Sequence, residues 1–429
     1  EDFPRSRQRF LTVRECLVYV VTPGQTTFVP AARLQWLPDQ GGLPLGRLVY
    51  GRHYLERRDA VPLDPFELPL TPRVYETRTL GGVFGALRDA APDHWGRRVI
   101  QRHVNSIDLP EIDYLLQSPD DRAGALGFGL SVQPPAPKRV FNQTLDLAKL
   151  QVMADAILAD EERALNDPIA AQAEELLLIG TSMGGARPKA VVEADGALWV
   201  AKFNCATDRW NNARVEHAML RLAQACGLRV ATSRIEPIGN RDVLLVKRFD
   251  REAGEGGYRR ARMLSALTLL RCGDTFHHRD RWSYPLLAEE LRRLSAHAAE
   301  DAQELFRRMA FNALISNSDD HPRNHAFIAL TDEWHLSPAY DLTPTAPPSL
   351  ERRDLALTCG DQGRRANAAN LLSQCGRFLL SGEAAAKILE DMEAQVRSRW
   401  YEVARRDGVS ERDCERIAGA FAYAGFRYS

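Results

Sequence analysis

The chain has no long apolar run, no paired-cysteine motif and no surplus of either charge. No stretch approaches the roughly 20 apolar residues that a spanning helix needs, so no membrane segment is expected. The opening residues Glu1 to Arg7 lack the apolar core of a secretory signal. Seven cysteines (16, 205, 226, 272, 359, 375 and 414) are odd in number, scattered, and form no Cys-x-x-Cys pair. That excludes a zinc ribbon or a disulfide framework and points to reduced thiols in a cytoplasmic compartment. A formal net charge of −1 argues against nucleic-acid binding by bulk attraction, which needs clustered excess Lys and Arg.

What is present is the composition of a globular enzyme. Hydrophobic residues make up 45% and charged residues 26% of 429 positions, and that length exceeds one ordinary core. The first 130 or so residues read as mixed α/β, with short strands at Leu17 to Val21 and Leu48 to Tyr50 and a helix after Pro92. Gln133-Pro134-Pro135-Ala136-Pro137-Lys138 breaks regular structure and reads as a linker. A glycine-rich stretch from Gly180 to Lys189 then leads to a hairpin, Ala190 to Glu193 and Leu198 to Phe203, turning at Asp195-Gly196. A helix from about Asn212 places Val215, Ala218, Met219, Leu222 and Ala223 on one face, with Gly227 as its stop. A second hairpin runs from Ile235 to Ile238 and from Val243 to Phe249. Farther on, Glu304 to Asn317 reads as a helix in which Phe306, Met309, Ala310, Ala313 and Leu314 form one apolar stripe, and it delivers the chain into the Asp319 loop. A small hairpin (Ala326 to Leu330, Trp334 to Leu336) follows, and from Ser381 to Tyr428 the chain reads as helical, with Ser410-x-x-Asp413 as a capping box.

The chemistry is concentrated in Ser318-Asp319-Asp320-His321-Pro322-Arg323-Asn324-His325 and Ser337-Pro338-Ala339-Tyr340-Asp341. Asp319 and Asn324 stand five apart, the separation of a catalytic Asp from a magnesium-binding Asn in a kinase catalytic loop, and Asp341 falls where a second metal-binding Asp belongs. Phosphoryl transfer needs positioning and charge neutralisation more than covalent help. Asp319 would orient the attacking hydroxyl, while Asn324 and Asp341 would hold Mg2+. Against this stands a plain helix-ending turn, which Ser and Asp make well. A dinuclear metal hydrolase built from Asp320, His321, His325 and Asp341 is a further alternative, although Pro322 rules out a continuous helix face for the two histidines. Lys202, on a strand where Lys is out of character, would pair phosphates, with Glu216 on the next helix as its partner. A solvent-facing Lys on a half-buried strand is the ordinary alternative. Amides of Gly184, Gly185 and Ala186 could grip phosphate oxygens, although the stretch is no Walker loop. Lys247 to Phe249 would form the hinge.

Together these motifs resemble the HipA family of bacterial serine/threonine kinases, toxins of HipBA-type toxin–antitoxin systems. The resemblance rests on Gly185-Ala186-Arg187-Pro188-Lys189, Lys247-Arg248-Phe249-Asp250-Arg251, Arg308-Met309-Ala310-Phe311-Asn312, Ser318 to His325 and Ser337 to Asp341. In the N-terminal part it rests on Gly46 to Pro62, Pro92 to Arg98 and Asp121 to Leu126. It implies an α+β, two-lobed protein-kinase-like fold with an N-terminal α/β accessory subdomain (1–132), a Pro-rich linker (133–140), a small lobe (141–250) and a mainly helical large lobe (251–429). It also implies an ATP site lined by Gly184, Gly185, Ala186, Arg187, Pro188, Lys189, Lys202, Lys247, Arg248, Phe249, His321, Pro322, Arg323, Asn324, Tyr340 and Asp341. Ser182 matches an autophosphorylated serine whose modification silences the kinase, with Thr181 as a competing acceptor. A helix-turn-helix antitoxin like HipB, operator DNA reached mainly through it, and an aminoacyl-tRNA synthetase as substrate (glutamyl-tRNA synthetase among them) are implied as partners. A kinase-shaped corepressor with little turnover and a small-molecule kinase are the competing functions.

Overall fold

The computed structural model describes residues 14–38, 43–107, 109–136, 141–159, 187–345 and 349–427. The linker beyond Ala136 and the glycine-rich stretch through Ala186, with Thr181 and Ser182, lie outside them.

The N-terminal part is built on an antiparallel sheet of β1 (Arg14–Val21), β2 (Phe28–Leu37), β3 (Leu45–Tyr50), β4 (Tyr75–Thr77) and β5 (Leu126–Gly129), in the order β4-β3-β2-β1-β5. Side chains alternate across a pleated strand, so Leu34 and Trp36 of β2 are buried while Arg33 is exposed and Gln35 half-buried. The predicted helix after Pro92 runs His94–His103, its first turn closed by Asp93, whose Oδ1 accepts from the Gly96 amide at 2.7 Å.

A second sheet orders β6 (Asn142–Gln143), β7 (Lys189–Ala194), β8 (Ala197–Phe203), β9 (Ser233–Ile238) and β10 (Arg241–Lys247) as β6-β7-β8-β10-β9. The Asp195-Gly196 turn joins β7 to β8, with both residues at positive φ. One face of this sheet packs Ala190, Val192, Ala201, Phe203, Val243 and Leu245 against Trp95, Val99 and Ile100 of the N-terminal helix and Leu150 and Ala154 of helix Leu147–Leu158. Helix Asn212–Ala225 starts where the Asn211 side chain accepts from the Arg214 amide, and Gly227 (φ 84°) closes it.

Hairpin β11 (Arg251–Gly254) and β12 (Gly257–Arg260) follows, and then β13 (Arg262–Ser265). It joins β14 (Ala326–Ala329) and β15 (His335–Leu336) in a three-stranded sheet, which extends the small hairpin expected from sequence. The rest is mainly helical: Tyr284–Leu294, Ala298–Leu314, Gly382–Arg406 and Glu411–Ile417. Leu305, Phe306, Met309, Ala310, Ala313 and Leu314 are all fully buried, so helix Ala298–Leu314 runs through the core rather than along its surface. It stops at Ser316, whose φ of 55° is closed to helix continuation, and the chain turns into the Asp319 loop. Ser410 caps the last helix as the sequence predicts, accepting from the Asp413 amide at 3.1 Å. No helix among the described residues is long and apolar enough to cross a membrane.

Candidate active site

Three elements meet at one cavity of about 1050 Å³. The second sheet supplies Lys189 and Lys202, which are direct register partners on neighbouring strands and so lie on the same face. Two like charges side by side repel, and each is answered by a carboxylate. Lys189 Nζ lies 2.5 Å from Asp93 of the N-terminal part, and both side chains are 2% exposed. Lys202 Nζ lies 2.6 Å from Glu216 Oε1 and 2.5 Å from Asp341 Oδ1.

Those contacts set the protonation of the group. Burial alone would lower the Lys202 pKa, but Asp341 and Glu216 outweigh it and hold the ammonium well above the ordinary lysine value. Burial would likewise raise Asp341, and Lys202 overrides it and keeps that carboxyl below its usual range. Glu216, deeper, is pushed up by burial despite Lys202. Of the two carboxyls, Asp341 is the one that Lys202 holds more firmly in its ionised form. Its φ of 60° is a left-handed conformation that Asp tolerates better than most residues.

Asp319 and Asp320, adjacent in sequence, have opposite environments. Asp319 is accessible on the cavity wall, and partial desolvation by the surrounding cleft, then the charges of Asp341 and Asp320, raise its pKa. Asp320 is 1% exposed and accepts from Tyr284 Oη and from His325 Nε2, the latter at 2.9 Å. The five-residue spacing to Asn324 and the exposure thus select the same aspartate. Asn324 ends a single 3₁₀ turn, Pro322–Asn324, which His321 caps by accepting from the Arg323 amide at 3.1 Å. Burial, then neighbouring Arg323, lowers the His321 pKa to about 4, so its ring is neutral at pH 7. It packs edge-on against Trp282 at 4.3 Å between ring centroids.

Arg187, Lys189, Lys202, Asp319, His321, Arg323, Asn324 and Asp341 line the cavity, as does Glu216. Pro188, Lys247, Arg248, Phe249, Pro322 and Tyr340 are not among its lining side chains. Tyr340 instead donates to the Arg323 carbonyl at 2.7 Å and packs on Phe249 at 5.4 Å. The Lys247 and Arg248 amides are already taken, by the Thr232 and Leu198 carbonyls at 2.8 Å each. The Arg248 guanidinium is fully buried against Asp121 (2.6 Å) and Asp250 (2.9 Å), pinning the small lobe to the N-terminal part rather than facing the cavity. Gly184, Gly185, Ala186, Ser182 and Thr181 lie outside the described residues. For the hydrolase alternative, Asp320 and His325 are both buried against each other and away from the cavity, so the four-residue metal set does not converge.

Sequence reasoning missed a whole wall of the site. Leu80, Asp93, His94, Arg97 and Glu111 from the N-terminal part, together with Asp274 and His278, line the same cavity. Asp93 and His94 sat in the Pro92 to Arg98 motif, but nothing local in sequence tied that motif to Lys189, 96 positions away.

The paired Lys and Glu on strand and helix, the Asp–Asn loop and the following Asp surround one cavity in a kinase-like arrangement. A family model described as the HipA-like C-terminal domain matches residues 181–400, more than half of the chain, and the chain belongs to that family. A Sinorhizobium fredii protein bearing the name "Putative kinase Y4mE" is 27% identical over 331 residues, spanning 73% of this chain and 72% of its own. Among solved structures, HipA of Shewanella oneidensis, captured with HipB and operator DNA, superposes with a TM-score of 0.68 over 94% of both chains at 16% identity. At that identity the likeness speaks to the fold. The Helicobacter pylori proinflammatory kinase CtkA aligns over 52% of this chain and 93% of its own at a TM-score of 0.35 and 14% identity.

Proposed function

We propose that this protein is an ATP- and Mg2+-dependent serine/threonine protein kinase acting as the toxin of a toxin–antitoxin pair. The observation that carries the reading is the convergence of Lys202, Asp319, Asn324 and Asp341 on one cavity. Lys202, held charged, would bind phosphate oxygens, and Glu216 fixes its direction. Asp319, with its pKa raised, is a better hydrogen-bond acceptor for an attacking hydroxyl than an ordinary carboxylate. Asp341, kept ionised, and the amide oxygen of Asn324 are hard oxygen donors of the kind Mg2+ takes together with substrate phosphates. The bound ion would neutralise charge on the transferring phosphoryl group.

The partner would be a HipB-like helix-turn-helix antitoxin, with operator DNA contacted mainly through it. A near-neutral chain suits that division of labour. The substrate would be an aminoacyl-tRNA synthetase, such as glutamyl-tRNA synthetase, whose modification would arrest translation and favour dormancy. Autophosphorylation at Ser182, or at Thr181 beside it, would silence the enzyme, because a group carrying about −1.5 to −2 charges competes with ATP phosphates for the same loop. Intact mass and phosphosite mapping after incubation with ATP and Mg2+ test this. Wild type gains one phosphate at Ser182 and Asp319→Asn gains none while remaining folded. Dephosphorylated wild type that binds ATP and gains nothing would move the reading to a kinase-shaped corepressor.

A further inference from the structure

Resting on the kinase reading, we infer that Tyr284, Asn312, Asn317 and Asp320 form a buried polar strut that sets the position of the Asp319 loop relative to Asp341. None of the four faces the cavity. Asp320 is 1% exposed, Tyr284 and Asn312 are fully buried, and Asn317 is 1% exposed.

The strut is continuous. His325 Nε2 and Tyr284 Oη both donate to Asp320 Oδ2. Tyr284 Oη in turn accepts from Asn312 Nδ2 at 3.1 Å. Asn312 Oδ1 accepts from Asn317 Nδ2 at 3.1 Å, and the same amide reaches the Asp341 carbonyl at 3.4 Å. One end therefore holds the residue next to Asp319, and the other holds the backbone of Asp341. Tyr284 and Asn312 belong to two core helices, Tyr284–Leu294 and Ala298–Leu314, which are packed into the hydrophobic core, and Asn317 follows the second helix in the turn before Asp319.

Three features separate this from incidental core polarity. Buried polar groups are costly unless hydrogen-bonded, so a run of them through the core needs a return that an apolar replacement would not give. The backbone beside the strut is unusual at two points, at Asp341 (φ 60°), whose carbonyl it holds, and at Ser316 (φ 55°), next to Asn317. Such conformations persist only when their surroundings over-determine them. Finally, Asp320 and Asp341 carry the carboxylates nearest Asp319 in electrostatic effect, so a shift at either end changes the field at that residue. The four side chains are positioning residues: they touch neither nucleotide nor hydroxyl, and they act through Asp319 and Asp341.

The test is steady-state and single-turnover phosphate transfer by full-length Tyr284→Phe, which removes one hydroxyl and leaves the ring. Tyr54→Phe is the matched control, because Tyr54 is also buried and its hydroxyl bridges the Val61 carbonyl and amide, at 2.7 and 3.0 Å, in the N-terminal part. The expected result for Tyr284→Phe is a kcat about ten- to hundredfold lower with an ATP KM within about twofold of wild type, as for misplacement of a catalytic group. Tyr54→Phe keeps wild-type kcat with a similar loss of melting temperature. Asp320→Asn, which retains an acceptor oxygen, keeps more activity than Asp320→Ala. Equal kcat in the two Tyr→Phe variants would overturn the strut while leaving the kinase reading intact, and so would a fall in activity that appears in KM alone. A wild type that transfers no phosphate would remove both.

Discussion

Replacing Lys202 by Met separates what that residue does for stability from what it does for chemistry. The ammonium sits 2.6 Å from Glu216 and 2.5 Å from Asp341, with Lys202 15%, Glu216 6% and Asp341 36% exposed. A pair of unit charges at such range gains about 6 kcal/mol at an effective dielectric near 20, before the cost of desolvation. The Asp341 contact is discounted because more than a third of that side chain is in solvent. The buried Glu216 contact is not, and breaking such a pair from one side costs on the order of 3–5 kcal/mol. Glu216 already has a raised pKa, so it takes up a proton once the ammonium is gone, which places the loss near the lower end, about 3 kcal/mol. Urea unfolding reads that number directly. Adding Glu216→Gln to Lys202→Met removes the stranded carboxyl and returns about 2 kcal/mol or more of stability, yet on the proposed role of Lys202 in phosphate binding, transfer stays down by about 10² or more because that charge is still missing. A Lys202→Met protein as stable as wild type, or a double variant with restored transfer, would refute the reasoning.

The pin between small lobe and N-terminal part behaves as a buried charge cluster. Arg248→Ala leaves Asp121 and Asp250, 1% and 2% exposed, with Arg251 as the main remaining cation, and unfolding in urea should show a loss of about 3–5 kcal/mol. Burial would raise both carboxyls, but Arg248 and Arg251 hold them below the ordinary value of 3.8. Depressed carboxylates stabilise the folded state above that value and lose the contribution as pH falls below it. Melting temperature should therefore be level from pH 7 to about 5 and drop below about 4, with part of the drop missing in Asp250→Asn. A drop that begins above pH 5 would assign it to other groups. Asn324→Ala should raise the Mg2+ concentration for half-maximal transfer about tenfold, the equivalent of about 1.4 kcal/mol for one lost ligand. An unchanged Mg2+ requirement would remove Asn324 from the metal site.

How much of this was legible in the sequence depended on how local the signal was. The hairpins around Asp195-Gly196 and Gly239-Asn240, the amphipathic helix after Asn211 and the Asp319–Asn324 loop are all set by neighbours within a few positions, and all are present. The partner of Lys202 was also readable, because strand and following helix place Glu216 only 14 positions on. The side-chain direction of Arg248 was not legible, because its partner Asp121 lies 127 positions away, and a hinge-like position in sequence says nothing about which way a side chain turns. Strand β13 escaped notice for the same reason, since Arg262–Ser265 becomes a strand by pairing with Ala326–Ala329, more than sixty positions later. Asp319 and Asp320 were separable by spacing alone. The burial of Asp320 against Tyr284 and His325 is what gives that spacing a physical cause.

The cations of the cleft lead to a last prediction. Lys189 faces Asp93, Lys202 faces Glu216 and Asp341, Arg187 faces Asp208, and Arg323 faces Asp274 at 2.6 Å. A nucleotide entering this cavity meets positive charges that are already matched, so its phosphates must compete with carboxylates and do not simply fill a basic hole. Asp93 is the member of this set that comes from the N-terminal part, and it has two jobs on two oxygens. Oδ1 caps helix His94–His103 and Oδ2 holds Lys189. Asp93→Asn keeps an oxygen for the cap and removes the charge, whereas Asp93→Ala loses both. Ala should therefore lower stability by about 1 kcal/mol more than Asn, the usual worth of a cap. Asn should also release Lys189 toward phosphate and tighten ATP binding about three- to tenfold, a gain on the order of 1 kcal/mol. Calorimetric titration of the two variants decides it. If Asp93→Asn binds ATP no more tightly than wild type, Lys189 serves to hold the N-terminal part on the small lobe and takes no share in phosphate recognition.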